Sequence, residues 1–278
     1  MSKLSDISIF VTDLDSTLFL PDTTDPPEEF FSLLDSQFPV DCGWIVATGR
    51  SFEQVREFSE SWPLLPEVII SRERFIHVYR GDDFEPDTRW NEKLRLQTEK
   101  VDRDWKKLLP ELLRRLKEVG LEPESEHGHL IFESEAEAIK AENFLKQMID
   151  EGHQPLRNRV HLTLAPEEVG KGRCLKRLEQ TFSIEKSDVI CIGDSANDID
   201  MLDGRYGYLS AAVANAEPIA QKAVKSNNGI LLKKPAGHGI LELMKRRLED
   251  YPGTKKRASS GLARRKLFYI TLGELNLT

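Results

Sequence analysis

Short uninterrupted apolar runs recur along the chain and predict buried strands. The first spans Ile7 to Val11 and is broken only by Ser8. Segments of helical character, such as Phe52–Phe58 and Cys174–Leu178, lie between several of these runs. Continuous apolar strands that alternate with helices are typical of a parallel sheet covered on both faces. The other runs predicted as strands of this sheet are Trp44–Ala47, Val68–Ile70, Val189–Ile192 and Ala211–Ala214.

The middle of the chain, residues 84–165, has a different pattern. Charged residues dominate it, and amphipathic stretches at Lys100–Lys117 and Glu135–Ile149 predict two helices. Strand-like pieces at Leu130–Phe132 and Val160–Leu164 could supply a small sheet beneath them. We therefore predict an inserted α+β domain in this region.

These patterns divide the chain into three parts. We expect a core made of residues 1–83 and 166–250, interrupted by the insertion at 84–165. Residues 251–278 carry two clusters of lysine and arginine, which favours a flexible or loosely docked basic tail. A contact of this tail with nucleic acid or a membrane stays an alternative.

Composition changes this picture little. Of the 278 residues, 39% are hydrophobic and 31% are charged, which is ordinary for a soluble globular protein. The formal net charge of -8 argues against a nucleic-acid partner, so an anionic substrate would need a local cation. The N-terminus lacks the apolar run of a signal peptide or membrane span, so we expect a cytoplasmic protein without membrane contact. Cys42, Cys174 and Cys191 show no spacing typical of disulfides or metal sites, and we interpret them as core residues.

The first candidate for chemistry follows the first predicted strand. The segment Asp13–Thr17 (DLDST) places two carboxylates two residues apart, where both can project into one site. One could attack phosphorus while the other transfers protons. An isolated pair of this kind also fits a solvated acidic turn. An EF-hand loop is excluded because Leu18 and Thr24 stand where that loop needs its glycine and its glutamate.

A second candidate follows the second predicted strand. In the segment Ala47–Ser51 (ATGRS), Thr48 supplies a hydroxyl and Gly49 lets the backbone approach an oxyanion. The helix that follows favours negative charge at its N-terminus. The same segment also fits an ordinary strand-to-helix turn with Ser51 as the N-cap.

A third candidate is the segment Val169–Gly172 (VGKG). A Walker phosphate-binding loop is excluded, because Ala165 replaces its first glycine and Gly172 replaces its serine or threonine. Lys171 opens a predicted helix, where its charge opposes the helix dipole, so it has a reason to point at an anion. A solvated lysine is the ordinary alternative.

The fourth candidate follows another predicted buried strand. The segment Cys191–Asp198 (CIGDSAND) carries Asp194 and Asp198 four residues apart at the start of a helix. A capped helix start with Asp194 or Ser195 as N-cap explains part of this segment. It does not require Asn197 and Asp198 as well.

Together, the four segments resemble the motifs of the haloacid-dehalogenase (HAD) superfamily of aspartyl-phosphate hydrolases. They occur in that family's order, and the resemblance covers roughly the core two-thirds of the chain. It implies a Rossmann-like parallel-sheet core with an inserted α+β cap domain. It also implies a phosphate-monoester hydrolase.

The resemblance further implies roles for the four aspartates. Asp13 would attack phosphorus and also bind the metal. Asp15 would protonate the leaving alcohol, later activate water, and lend its backbone carbonyl to the ion. Asp194 would be a direct metal ligand, and Asp198 a more distant or water-mediated partner.

For the phosphoryl group, the resemblance implies a second set of residues. Thr48, Gly49 and Lys171 would hold the phosphoryl oxygens. Asn197 would hydrogen-bond Lys171 or the phosphate itself.

Electrostatics give a separate reason to expect a metal ion. The four aspartates, gathered in one pocket, would repel one another and the substrate. We expect Lys171 to be the only cation near enough to offset them. A hard divalent cation with oxygen ligands is then needed, and Mg²⁺ fits best.

The insertion falls between the second and third motifs, the position of the larger HAD cap that closes over the site. Its α+β pattern is similar to the caps of sugar-phosphate phosphatases, and Ile70–Glu73 lacks the Asn-Gly pair common in Cof-type relatives. We therefore expect a sugar phosphate as the substrate. The segments that resemble the sucrose-phosphate phosphatase branch are Asp87–Trp90, Val213–Ala216 and Ala236–Ile240.

Two other functions stay open at this point. HAD phosphomutases and phosphotransferases share the aspartyl-phosphate, so the motifs do not separate them from hydrolases. A non-catalytic sugar-phosphate-binding regulatory protein is a third class, although inactive relatives commonly lose a carboxylate of the first motif. Here Asp13 and Asp15 are both present. The sequence does not indicate an oligomeric state.

Overall fold

The protein is described from a computed structural model, which covers residues 4, 7–20, 23–36, 43–126 and 128–249. The predictions for Cys42 and for the basic tail at 251–278 lie outside these described residues. The strands of the described chain are β1 (Ile9–Thr12), β2 (Gly43–Ala47), β3 (Val68–Ser71), β4 (Phe75–Arg80), β5 (Asp83–Pro86), β6 (Glu124–Glu126), β7 (His129–Ile131), β8 (His153–Asn158), β9 (His161–Pro166), β10 (Val189–Gly193), β11 (Leu209–Ala212) and β12 (Ile230–Leu231). The α-helices are α1 (Glu28–Ser36), α2 (Phe52–Ser59), α3 (Thr88–Glu118), α4 (Glu135–Lys146), α5 (Lys171–Phe182), α6 (Ile199–Leu202), α7 (Pro218–Ser226) and α8 (Ala236–Glu249).

The chain forms two compact units. The first unit contains the described residues up to Asp87, the segment Gly170–Asp194 and residues 198–249. The second unit contains Thr88–Val169 together with the short segment Ser195–Asn197.

The first unit is built on an eight-stranded sheet in the order β12-β11-β10-β1-β2-β3-β4-β5. The six strands from β12 to β3 are parallel, and every residue of β1, β2 and β10 is buried. Strands buried on both faces need apolar side chains throughout, which explains the uninterrupted runs in the sequence. The predicted α/β fold class with a parallel sheet is therefore confirmed.

Two strands at one edge were not predicted. β4 pairs antiparallel with β3, and β5 pairs antiparallel with β4. In β4, the buried Ile76 and Val78 alternate with more exposed residues. Such alternation is typical of a strand with one covered face, and its short span was not distinguishable from a loop by apolar runs alone.

The second unit has its own sheet and its own core. Four antiparallel strands in the order β6-β7-β9-β8 pack with α3 and α4. α3 starts well before the predicted Lys100 and continues through Pro110. This α+β composition agrees with the predicted fold class. Its buried core contains Trp105, Leu112, Leu130, Leu145 and Leu162.

None of the helices in the described ranges combines the length and the apolar character needed to cross a membrane.

A histidine in β4 should make the stability of the first unit depend on pH. The His77 ring stacks on Phe52 with centroids 4.0 Å apart, and its Nδ1 is buried without a hydrogen-bond partner among the described residues. Burial lowers the pKa of His77 to about 4, and the nearby Glu53 only partly opposes this effect. The folded protein therefore disfavours the charged ring, while the unfolded chain binds a proton near pH 6.5.

We expect the free energy of unfolding to fall between pH 6.5 and pH 4 because of this group. After allowance for solvent screening of the half-buried ring, the loss should be about 1 kcal/mol. Urea unfolding at both pH values should show a smaller loss in His77→Gln than in the wild type. His161→Gln, on an exposed histidine, is the matched control. Equal losses in all three proteins would contradict the assignment.

Candidate active site

The first and fourth motifs lie side by side because their strands are neighbours in the sheet. β1 and β10 pair in parallel, so Asp13 and Asp194 both follow a strand at the same edge. The backbone N–H of Asp13 donates to the carbonyl of Ile192 at 3.1 Å, which extends the pairing to the first motif residue. The carboxyl edge of a parallel sheet is where such folds place their ligands.

Three carboxylates converge at this edge. Oxygens of Asp13, Asp194 and Asp198 all lie within 4.8 Å of one another, and the three side chains are buried. Asp198 reaches the group from a short 3₁₀ turn and accepts a hydrogen bond from the Asp194 N–H at 2.9 Å. The Thr17 hydroxyl donates to Asp194 Oδ1 at 2.8 Å. We refer to Asp13, Asp194 and Asp198 as the carboxylate cluster.

Lys171 contacts this cluster directly. Its Nζ lies 2.7 Å from Asp13 Oδ1 and 2.5 Å from Asp198 Oδ1, and the side chain is fully buried. Burial alone would lower the pKa of Lys171, but the carboxylates of Asp13 and Asp198 raise it, so the side chain stays protonated. Lys171 is thus the first residue of α5, and its ammonium group forms buried ion pairs with Asp13 and Asp198 that water does not screen.

The charges of the cluster do not cancel. Burial raises the pKa of Asp13 well above its usual value, Lys171 opposes this shift, and Asp198 and Asp194 add to it. One ammonium group faces three carboxylates, so negative charge is left over inside the protein. Closely spaced carboxylate oxygens with excess charge are the donor set that a hard divalent cation prefers. The cluster therefore fits such an ion.

The second motif follows β2, the other neighbour of β1. Thr48 is buried, and its hydroxyl accepts a hydrogen bond from the Arg50 N–H at 3.2 Å. A Cβ at Gly49 would lie 3.3 Å from Glu73 Oε1, a tight contact that a small shift of the Glu73 side chain would relieve. Gly49 itself is exposed, so its backbone is accessible at this turn.

The expectation that Lys171 would be the only cation offsetting the aspartates was wrong. Arg50 forms two hydrogen bonds with the Asp15 carboxylate, at 2.8 Å and 2.6 Å. The Asp15 side chain is not part of the carboxylate cluster. Arg50 was overlooked because its partner lies 35 residues away in sequence and nothing in either segment indicates the pairing.

Asn197 is buried in the loop between Asp194 and Asp198. Its Oδ1 accepts a hydrogen bond from the Ser195 hydroxyl at 2.5 Å. The predicted bond from Asn197 to Lys171 or phosphate stays a prediction.

Asp200 is a further residue that sequence analysis missed. Its Oδ2 accepts hydrogen bonds from the N–H groups of Gly172 at 2.8 Å and Arg173 at 3.3 Å. These are free N–H groups of the first turn of α5, and Gly170, the N-cap residue, has no side chain to bind them. Asp200 therefore holds the start of the helix that carries Lys171. No local signal identifies a cap donated from another helix.

Comparison with known proteins identifies the family. The family model for sucrose-6F-phosphate phosphohydrolase matches residues 7–246. The chain belongs to this family. Membership places it among the HAD-type phosphatases, as the sequence motifs predicted.

A solved structure has the same fold. The sucrose-phosphatase of Synechocystis sp., determined in complex with sucrose and phosphate, aligns with a TM-score of 0.59 at 18% identity. The alignment covers 86% of this chain and 97% of that chain. It supports the HAD-like fold with its cap domain.

Curated relatives match over shorter stretches. The phosphoglycolate phosphatase of Staphylothermus marinus is 30% identical over 93 residues, which are 34% of this chain and 36% of that protein. The phosphoglycolate phosphatase of Aeropyrum pernix is 28% identical over 140 residues, which are 49% of this chain and 56% of that protein. The matches therefore span less than two thirds of either relative.

The uncompensated charge of the cluster predicts that Asp13 reduces stability. We expect Asp13→Asn to raise the free energy of unfolding at pH 7 in metal-free buffer by about 1 kcal/mol or more, because the amide removes a buried charge but can still accept from Lys171. Denaturant unfolding of both proteins would measure this difference in the free energy of unfolding. Asp102→Asn, on an exposed face of α3, is the control and should have no effect. A lower unfolding free energy for Asp13→Asn would mean that the cluster is not strained by charge.

Proposed function

We propose that the chain is a Mg²⁺-dependent phosphate-monoester hydrolase that acts through an aspartyl-phosphate on Asp13. The observation that carries this proposal is the carboxylate cluster around Lys171, at the strand ends of a chain from a phosphatase family. The proposal also takes residues 84–165 as the cap domain and residues 1–83 and 166–250 as the catalytic core.

The nucleophile would be a carboxylate oxygen of Asp13. It attacks phosphorus, the bond between phosphorus and the ester oxygen breaks, and the alcohol leaves with a proton from Asp15. Water then attacks the phosphoryl group and gives its proton to Asp15, which frees inorganic phosphate and restores the Asp13 carboxylate. Protons and charge balance over the two steps. Asp15 suits this role because its carboxylate lies apart from the buried cluster and is partly exposed.

The phosphoryl oxygens would be held by Thr48, Gly49, Lys171 and Asn197. Lys171 is protonated and rigidly placed, so it can stabilise charge that spreads over these oxygens without reorganising. Gly49 offers backbone close to the ligand at the start of α2, whose capping box fixes that turn. These residues would orient the ester for attack by Asp13.

A Mg²⁺ ion would be held by the carboxylates of Asp13 and Asp194, by the backbone carbonyl of Asp15 and, directly or through water, by Asp198. When bound, the ion would offset the negative charge that the cluster and the phosphate bring together. Asp198 already accepts from Lys171 and from the Asp194 N–H, which suits it to orient the other ligands.

The proposed substrate class is a sugar phosphate. The matched family is that of sucrose-6F-phosphate phosphohydrolase, and the Synechocystis protein was solved with sucrose and phosphate. The match at residues 7–246 includes the insertion as well as the motifs, so it supports this class over the length of the described chain.

A second candidate is a small phosphorylated acid. The curated relatives from Staphylothermus marinus and Aeropyrum pernix are phosphoglycolate phosphatases. A carboxylate on the substrate would add negative charge beside the cluster, so it would require a basic residue in addition to those of the phosphate site.

A phosphate-release screen separates these candidates. It would compare disaccharide and hexose phosphates, phosphoglycolate, phosphoglycerate derivatives, polyol phosphates and nucleotides at equal concentration. Sugar phosphates should give the highest kcat/KM. Isomerised hexose 1-phosphate without free phosphate would instead indicate a mutase, and binding without any turnover would indicate a regulatory protein.

The first prediction from this mechanism concerns Asp13. Asp13→Asn should lower phosphate release by at least about 10³-fold, because the amide is not a nucleophile. Circular dichroism should show an unchanged fold, and Asp102→Asn should retain wild-type rates. Phosphate release at the wild-type rate by Asp13→Asn would exclude the covalent route.

The second prediction concerns the metal. EDTA should abolish phosphate release and added Mg²⁺ should restore it, because the cluster and the substrate otherwise repel each other. EDTA that has been saturated with Mg²⁺ beforehand is the control for other effects of the chelator. Undiminished activity in metal-free EDTA would contradict the metal assignment.

A further inference from the structure

Arg50 holds both oxygens of the Asp15 carboxylate. Its Nε donates to Oδ2 at 2.8 Å and its Nη2 donates to Oδ1 at 2.6 Å. Two parallel bonds between a planar guanidinium and a planar carboxylate fix the direction as well as the distance of the partner. The Asp15 side chain therefore has one defined orientation in this structure.

Arg50 is itself held in place by aromatic rings and by the backbone. The guanidinium carbon lies 4.7 Å from the centroid of the Phe58 ring and 5.9 Å from that of Phe19, and both contacts favour a cation. The Arg50 N–H donates to the Thr48 hydroxyl, and its carbonyl accepts from the Arg72 N–H at 2.8 Å. The arginine is thus fixed to the turn of the second motif.

The backbone next to Asp15 is fixed as well. Ser16 has a φ of 60°, which turns the chain sharply after Asp15. The Ser16 carbonyl accepts a hydrogen bond from Asn215 Nδ2 at 2.8 Å. The main chain and the side chain of Asp15 are therefore restrained by different partners.

Stability alone does not explain this arrangement. The side chains of Arg50 and Asp15 are 27% and 42% exposed, and ion pairs with such exposure contribute little to folding. Orientation of a proton-transferring carboxylate, in contrast, affects rate strongly even when the binding energy is small.

We propose that Arg50 is a positioning residue for Asp15, which keeps that carboxylate aimed at the ester oxygen in the first step and at water in the second. The inference rests on the proposed function, since it assigns proton transfer to Asp15. Nε and Nη2 address different oxygens, so one bond can persist while the other oxygen carries the proton. When the bond from phosphorus to the ester oxygen breaks, that proton moves to the alcohol and both bonds to Arg50 can form again.

The test uses the leaving group. The full chain with Mg²⁺ would be mixed with p-nitrophenyl phosphate, whose alcohol leaves without protonation, and with an alkyl phosphate, whose alcohol needs a proton. The rate of alcohol release in the first turnover would be measured for wild type, Arg50→Met, Arg50→Lys and Asp15→Asn. Arg56→Met, on a surface arginine of α2 paired with Asp83, is the matched control.

We expect Arg50→Met to slow alkyl release at least about 10-fold and p-nitrophenol release less than about 3-fold. Asp15→Asn should show the same pattern, the double variant should lose no more than Asp15→Asn alone, and KM should change little. Arg50→Lys should retain part of the alkyl rate, because it keeps the charge but loses the paired geometry.

Several results would overturn the inference. Equal slowing of both substrates, or additive losses in the double variant, would indicate that Arg50 only supports the structure. A rise in KM alone would indicate that Arg50 binds the substrate. If Arg50→Met does not fold, Arg50→Lys gives the same comparison. Failure of the proposed function is distinguishable, because then the wild type itself would release no alcohol from either ester.

Discussion

The structure depends on one electrostatic constraint, which is that three buried carboxylates share a space with one lysine. Asp13, Asp194 and Asp198 come within 4.8 Å of one another, and Lys171 binds two of them. Such crowding is unfavourable in a protein interior, where charge is poorly screened. It persists because the fully buried strands beneath it supply a large apolar core.

The parallel sheet determines which motif residues lie next to one another in the site. The order β10-β1-β2 places the fourth, first and second motifs at adjacent strand ends, although they are far apart in the chain. Main-chain pairing of β1 with β10 places Asp13 beside Asp194, and the hydrogen bond from the Asp194 N–H then holds Asp198 next to them. Helix starts then complete the site, since Asp200 caps α5 from another helix and thereby holds Lys171.

The sequence was sufficient for the parallel sheet and for the segments that supply the cluster, because apolar runs and the polar residues after them are local signals. It did not reveal the pairing of Arg50 with Asp15, the cap from Asp200 or the bond from Thr17 to Asp194. Each of these contacts joins two segments that separately look like ordinary turns, and each depends on a side-chain rotamer that only the folded chain selects. β4 was not predicted for a different reason. Its apolar and polar residues alternate, and over so short a span this pattern resembles that of an exposed loop.

The turn between β3 and β4 is held in place by hydrogen bonds of its main chain. Arg72 and Glu73 both have positive φ, at 47° and 61°, a conformation that costs side chains other than glycine or asparagine about 1 kcal/mol or more each. Three main-chain hydrogen bonds offset this cost. The N–H of Arg72 donates to the Arg50 carbonyl, and the N–H of Glu73 donates to the Thr48 carbonyl. The Glu73 carbonyl in turn accepts from the Gly170 N–H. The turn thus links the loop of the second motif to the residue before Lys171. Because the bonds are made by the main chain, they do not depend on which side chains Arg72 and Glu73 carry.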